Sequence, residues 1–203
     1  MARIARKPTR SRRLARGRNG RSAAKRNGGG DAITLLKNDH REVEGLFAQF
    51  EKARAESKKK DLADKICNAL RAHTTIEEEI FYPAFLEVTR DKDTHHEAEV
   101  EHAGAKNLIA EIEASDPSDD YYDAKLKVLS EMIKHHVNEE EQRGGMFAEA
   151  KQSKMDLAEL GAELEQRKQE LLLELNGDKP AKRDALAAPR NATRRESMDA
   201  RRD

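Results

Sequence analysis

His40, His73, His102 and His136 each fall in the apolar stripe of a predicted helix, where a leucine would be expected. His73 and His136 are followed four residues later by glutamates, Glu77 and Glu140, and residues four apart on an α-helix share a face. Burying one imidazole or carboxylate without a partner is costly, so six of them converging on one core point to a metal ion. Imidazole with carboxylate suits iron, manganese or zinc, and two carboxylates can bridge a pair of ions. Four histidines and two glutamates are too many ligands for one tetrahedral zinc but fit a dinuclear centre with open positions.

The elements that must position these residues are helices. Asp31 offers an N-cap to a helix running to about residue 55, with Ile33, Leu36, His40, Val43, Phe47 and Phe50 on its stripe. Ser57 and three lysines then read as a turn. A second helix, from about Asp61, carries Ile66, Leu70, His73, Ile76, Glu77, Ile80, Phe81 and Ala84, and Pro83 kinks or ends it. Thr94 and Glu97 have capping-box spacing and open a third helix whose inner face is Ala98, His102, Ala105, Ile109 and Ile112. A fourth, from about 120 to 143, presents Leu129, Met132, Ile133, His136, Val137 and Glu140. Gly144-Gly145 interrupts the chain, and Ser153-x-x-Asp156 starts a fifth amphipathic helix through Leu157, Leu160, Leu164 and Leu171 to Leu173.

No segment alternates like a strand, and short loops make sequential helices antiparallel neighbours. The expected fold is therefore all-α: an up-down-up-down four-helix bundle with an additional C-terminal helix and disordered basic tails. The expected divisions are a basic arm (1–30), the bundle (31–152), the amphipathic helix (153–176) and a tail (177–203).

Periodicity decides between neighbouring candidates. The stripe through His136 is apolar, while that through His135 runs over Glu131, Asn138, Glu139 and Gln142, so His136 and Glu140 face inward. Glu77 is chosen over Glu78 and Glu79 because it shares the row of His73 and Ile80. Glu44, four after His40, and Glu99, three before His102, are further candidate ligands that also fit solvated helix charges. His95 and His96 read as surface residues, Cys67 as a core or boundary residue, and Phe81 and Tyr82 as packing residues, with Tyr82 a candidate neighbour of the site.

The segments Asp39-His40-Arg41-Glu42-Val43-Glu44, His73-Thr-Thr-Ile-Glu77-Glu-Glu-Ile-Phe-Tyr-Pro83, Glu101-His102 and His136-Val-Asn-Glu-Glu140-Glu resemble the hemerythrin-like HHE cation-binding family. The resemblance covers roughly 31–175. It implies an up-down four-helix bundle holding two non-haem iron ions, oxo- or hydroxo-bridged, with manganese or zinc as alternative occupants. Carried over by position, His40, His73, Glu77, His102, His136 and Glu140 would be the ligands, with Glu77 and Glu140 bridging. The chain departs from the family's oxygen carriers, which have two histidines four apart on the third helix; Ala98 and Lys106 flank His102 here. Those carriers also place an aspartate five residues after the last histidine, where this chain has Glu141. Fewer neutral nitrogen ligands shift the expectation from reversible oxygen carriage towards redox or sensing chemistry.

Lys+Arg and Asp+Glu both count 39, but their distribution is uneven. Residues 1–30 hold eleven bases and no acid, residues 177–203 eight bases against five acids, and residues 31–176 twenty bases against 34 acids. Such an arm suits sequence-blind nucleic-acid contact, since it neutralises phosphates yet has no aromatic residue for stacking on bases. It equally suits an arm lying on the acidic bundle. No apolar run approaches the roughly 18 residues needed to span a membrane, and there is no secretory apolar segment. With a single cysteine, these features favour a reducing compartment, and cytoplasm is expected. Three readings follow. The first is a di-iron protein binding oxygen, nitric oxide or peroxide for sensing, storage or detoxification. The second gives the same centre a catalase-like or peroxidase-like activity that disproportionates peroxide. The third is a nucleic-acid-associated protein whose bundle is a metal-stabilised scaffold.

Overall fold

The structure is a computed structural model and describes residues 30–177, so the readings of the two basic tails lie outside the described residues. Among the described residues there are helices α1 (Ala32–Lys52), α2 (Glu56–Ile76), a π-helical turn (Glu77–Phe81), α3 (Tyr82–Thr89), α4 (Lys92–Glu113), α5 (Tyr122–Glu141), α6 (Met146–Gln152) and α7 (Leu157–Gly177). No strand occurs among them, and no described helix is long and apolar enough to cross a membrane. α2, the π turn and α3 run on as one rod, which with α1, α4 and α5 makes the bundle; α7 lies against α1 and α2.

Local chemistry sets the helix starts. Asp31 accepts a hydrogen bond from the Thr34 amide at 2.8 Å and caps α1. α2 begins at Glu56, because Ser57 and the three lysines that follow are helical rather than a turn. Lysine is a good helix former, and these side chains find acids: Lys59 pairs with Asp123, and Lys60 lies 2.5 Å from Asp64. α4 begins before the expected capping box, since Asp91 takes the Thr94 amide at 3.2 Å. Asp156 caps α7 by accepting from Ala158 and Glu159.

Pro83 does not end the second helix, which continues to Thr89 and stops at Arg90 in the left-handed conformation (φ 61°). The π turn widens the backbone immediately before Pro83 and leaves the proline in the first turn of α3, where a missing N–H is tolerated. The extra residue rotates everything downstream. Phe81, Tyr82 and Phe85 are buried, whereas Ile80 and Ala84 of the expected stripe are only partly so.

Two apolar clusters fill the bundle. One holds Phe47, Phe50, Ile66, Leu70, Ile109, Leu126 and Leu129, and the other Ile33, Leu36, Ile76, Phe81, Phe85, Phe147 and Leu164. On α1 the second cluster precedes His40 and the first follows it, and the order reverses on α2 at His73. Alternating chain direction thus puts all four histidines at the level between the clusters. α7 comes close to α1 through Gly161, where any Cβ would lie 2.7 Å from the Ala32 nitrogen. Leu164 and Leu171 of α7 are buried, while Leu173, expected on its inner face, is 77% exposed.

Candidate metal centre

His40 (α1), His73 (α2), His102 (α4) and His136 (α5) are all buried, as are Glu77 in the π turn and Glu140 near the end of α5. The imidazoles meet in pairs through their inner nitrogens: His40 Nε2 is 3.1 Å from His73 Nε2, and His102 Nε2 is 3.2 Å from His136 Nε2. Glu77 stands between the pairs, its Oε2 lying 3.2 Å from His73 Nε2 and 3.4 Å from His102 Nε2. Glu140 spans them with its two oxygens, Oε2 at 3.3 Å from His40 Nε2 and Oε1 at 3.7 Å from His136 Nε2. The donors form two overlapping groups that could each hold an ion: His40, His73, Glu77 and Glu140, and Glu77, His102 and His136.

Both oxygens of Glu77 and Oε2 of Glu140 make no hydrogen bond. Buried carboxylate oxygens left unpaired cost several kcal/mol unless a cation meets them. The donor set and its orphaned oxygens therefore fit a pair of transition-metal ions.

A second ring of carboxylates orients the histidines. Each Nδ1 faces one acid: His40 to Glu141 at 2.8 Å, His73 to Asp39 at 3.4 Å, His102 to Glu78 at 3.0 Å and His136 to Glu101 at 2.7 Å. A carboxylate on Nδ1 keeps the proton there and leaves the Nε2 lone pair for a metal. Three of the four acids are themselves held by cations. Glu141 meets Lys37 and Arg41, Asp39 meets Lys168 of α7, and Glu78 meets Lys106. Lys106, four residues after His102, thus turns outward and holds the acid that backs that histidine.

Without an ion, the cluster retains protons. Burial acts to lower the His40 pKa, but Glu140, Glu77 and Glu141 outweigh it and raise the group to about 9. His102 is likewise raised to about 9, burial being overcome by Glu77, Glu78 and Glu140. His136 is raised against burial by Glu140 and Glu101. Glu77 is pushed below the usual carboxylate range; its burial opposes this, and the charges on His73, His102 and His136 prevail.

Tyr82 belongs to the centre. Its hydroxyl lies 3.2 Å from His102 Nε2 and donates to Glu140 Oε1 at 3.3 Å. Burial and the neighbouring carboxylates raise its pKa well above the ordinary phenol value, so it keeps its proton. A 3.6-residue period misses Tyr82, because only the π turn brings residue 82 onto the face of Glu77. The chemistry of Tyr82 makes it a candidate neighbour of the site, and Pro83 within a helical stripe is the local sign of the distortion.

Glu44 and Glu99 are not brought to the centre. Glu44 pairs with Arg41 at 2.6 Å on the surface, and Glu99 lies beside His95 at the start of α4. His135 is 64% exposed, as its polar stripe implies. His96 is exposed, but His95 is half-buried with its ring edge-on to Tyr82, the centroids 5.8 Å apart. After α5, Gly144 adopts a φ of 87°, open to glycine at little cost, and the chain turns into α6. This sets Phe147 in a stack with His40, centroids 5.7 Å apart.

A largely apolar cavity of about 40 Å³ reaches all four histidines. Val43, Leu70, Ile133 and Val137 line it, with Lys168 and Leu172 of α7 also on its wall. It has room for about three water-sized groups, enough for a diatomic molecule or peroxide.

The family model for the hemerythrin HHE cation binding domain matches residues 31–144. A solved structure with this fold is a hemerythrin HHE cation binding domain-containing protein from Mycobacterium kansasii. It has a TM-score of 0.63 and 22% identity, and the match covers 71% of this chain and 89% of that one. A protein of Nostoc sp. described as a DNA nickase is 28% identical over 107 residues, 53% of this chain. The match spans only 30% of that relative's length.

Proposed function

This chain belongs to the hemerythrin HHE cation-binding family, and on that premise we propose that it is a non-haem di-iron protein. It would hold two iron ions among His40, His73, Glu77, His102, His136 and Glu140 and bind oxygen, nitric oxide or peroxide for sensing, storage or detoxification. The observation that carries this reading is the small apolar cavity touching all four histidines, because it sizes the ligand. Bound there, iron supplies redox change and open coordination positions, and the same donors would accept manganese or zinc.

The chain's own residues supply the rest. Glu77 and Glu140 each face both histidine pairs and can join two ions. The four outer carboxylates fix the imidazole rings. Val43, Leu70, Ile133 and Val137 keep bulk water from the cavity, so a small ligand competes with little solvent. Tyr82 holds a proton at the centre, within hydrogen-bond reach of Glu140, and can offer it to an anionic ligand.

Anaerobic reconstitution of the full chain with Fe(II), followed by metal analysis and visible spectroscopy on admission of air, tests this. Close to two irons per chain, with the new absorption lost in Glu77→Ala and in His136→Ala, is the expected result. A folded chain that takes up no iron overturns it. Added peroxide then tells binding from turnover: steady oxygen release makes the centre an enzyme.

A second reading adds nucleic-acid contact, favoured by the eleven bases and no acids of residues 1–30 and by the relative described as a DNA nickase. Deleting residues 1–30 should abolish salt-dependent DNA binding and leave iron uptake unchanged.

A further inference from the structure

Glu101 differs from the other three carboxylates that back the histidines. Glu141, Asp39 and Glu78 each carry a lysine or arginine, whereas among the described residues no lysine or arginine pairs with Glu101. Its outer oxygen instead faces an imidazole, with Oε1 3.4 Å from His135 Nε2. That nitrogen also lies 3.2 Å from Glu139 Oε1. One nitrogen and two carboxylate oxygens thus converge, all within 4.8 Å of one another. Among the described residues neither carboxylate pairs with a lysine or arginine. Mixed nitrogen and oxygen donors of this kind suit Fe(II), Mn(II) or Zn(II).

What lies behind this group gives it a purpose. Glu101 Oε2 is the atom that meets His136 Nδ1 at 2.7 Å, so one carboxylate joins the surface group to a histidine of the buried centre. Beside it a polar cavity of about 140 Å³ runs past Thr94, Glu97, Glu101 and Glu139 to His136 and Glu140. Glu140 at its inner end is buried, and its Oε2 has no hydrogen bond. The cavity therefore joins the half-exposed acids Glu101 and Glu139 to His136 and Glu140 of the buried centre.

We propose that Glu101, His135 and Glu139 form an outer cation site that captures a divalent metal ion and passes it through this cavity to the buried donors. The delivery half rests on the di-iron reading above; the capture half does not. Three exposed or half-exposed ligands bind weakly and exchange quickly, as a transit site requires, while the surrounding negative charge concentrates cations at the cavity mouth.

The test uses the metal-free full chain, Mn(II) alone as the probe, and the double variant His135→Asn/Glu139→Gln. Both replaced side chains lie on the outer face of α5, and circular dichroism checks that the helix is kept. Free Mn(II) is followed by electron paramagnetic resonance. The wild type should bind a weak equivalent in addition to the tight ones; the variant should lose the weak one and keep the tight ones. At limiting Mn(II) the variant should fill its buried centre about tenfold more slowly. A wild type without the weak equivalent, or a variant that binds and fills as the wild type does, overturns the proposal. A weak equivalent lost in the variant, with no tight binding in either protein, supports capture and removes the di-iron reading instead, so the two failures are told apart.

Discussion

At one level of the bundle Phe47, Ile66, Ile109 and Leu129 fill the interior with carbon; at the neighbouring level His40, His73, His102 and His136 fill it with ring nitrogen. Both levels are hidden from solvent and both follow the same helical period. They differ in what satisfies them. The carbon layer is complete as it stands, since apolar burial and close contact are all it needs. The histidine layer leaves Glu77 without a hydrogen bond and holds protons on His40 and His102 where an ion would sit. Burial in the first layer is a source of stability, and burial in the second sustains a demand for cations.

The largest expected contrast comes from deleting carbon. Leu129→Ala should cost about 2–5 kcal/mol in denaturant unfolding while the folded fraction keeps its metal stoichiometry. If Leu129→Ala also stripped the metal, the two layers would not be separable. Next come the outer carboxylates. Asp39→Asn or Glu141→Gln should weaken metal binding on the order of 10–100-fold in competition with a chelator, with much less effect on the metal-free fold.

The pH response should be of opposite sign in the two loading states. Without metal, His40 and His102 are raised from 6.5 to about 9 in the folded protein. Their stabilisation is therefore complete below pH 6.5 and lost as pH rises through about 9. Metal requires the neutral imidazoles, so binding strengthens over that same window as proton competition fades. The gap in Tm between loaded and metal-free protein should widen with pH; a gap that narrows would sink this account. The smallest effect belongs to the surface: Arg71→Ala, which breaks the exposed pair with Glu113 at 2.6 Å, should change stability by about 1 kcal/mol or less and metal binding not at all.

Much of the histidine layer is legible in the chain because a buried polar residue in an apolar stripe stands out. Periodicity separated His136 from His135 and Glu77 from Glu78. It set aside Glu78 and Glu141 because they leave the stripe, and it gave no reason to single out Glu101, although each reaches a histidine from the side through a flexible two-methylene stem. Lys168 was out of reach for another reason: it lies 129 residues from Asp39, and no local pattern couples them.

By itself, then, the sequence determined most of the helices, most of the faces they hide and the six polar side chains that share that burial, because a 3.6-residue repeat records faces directly. It misplaced the start of α2 and the faces after the π turn and at Leu173. Tertiary structure alone decided the rest. The stagger of antiparallel helices put the histidines at one level. The π turn, a change of hydrogen-bond register that leaves no period of its own, carried Tyr82 into the centre, and the docking of α7 brought Lys168 to Asp39. These depend on how the helices slide and rotate against one another, and that is set by the packing of whole surfaces rather than by the pattern along any one of them.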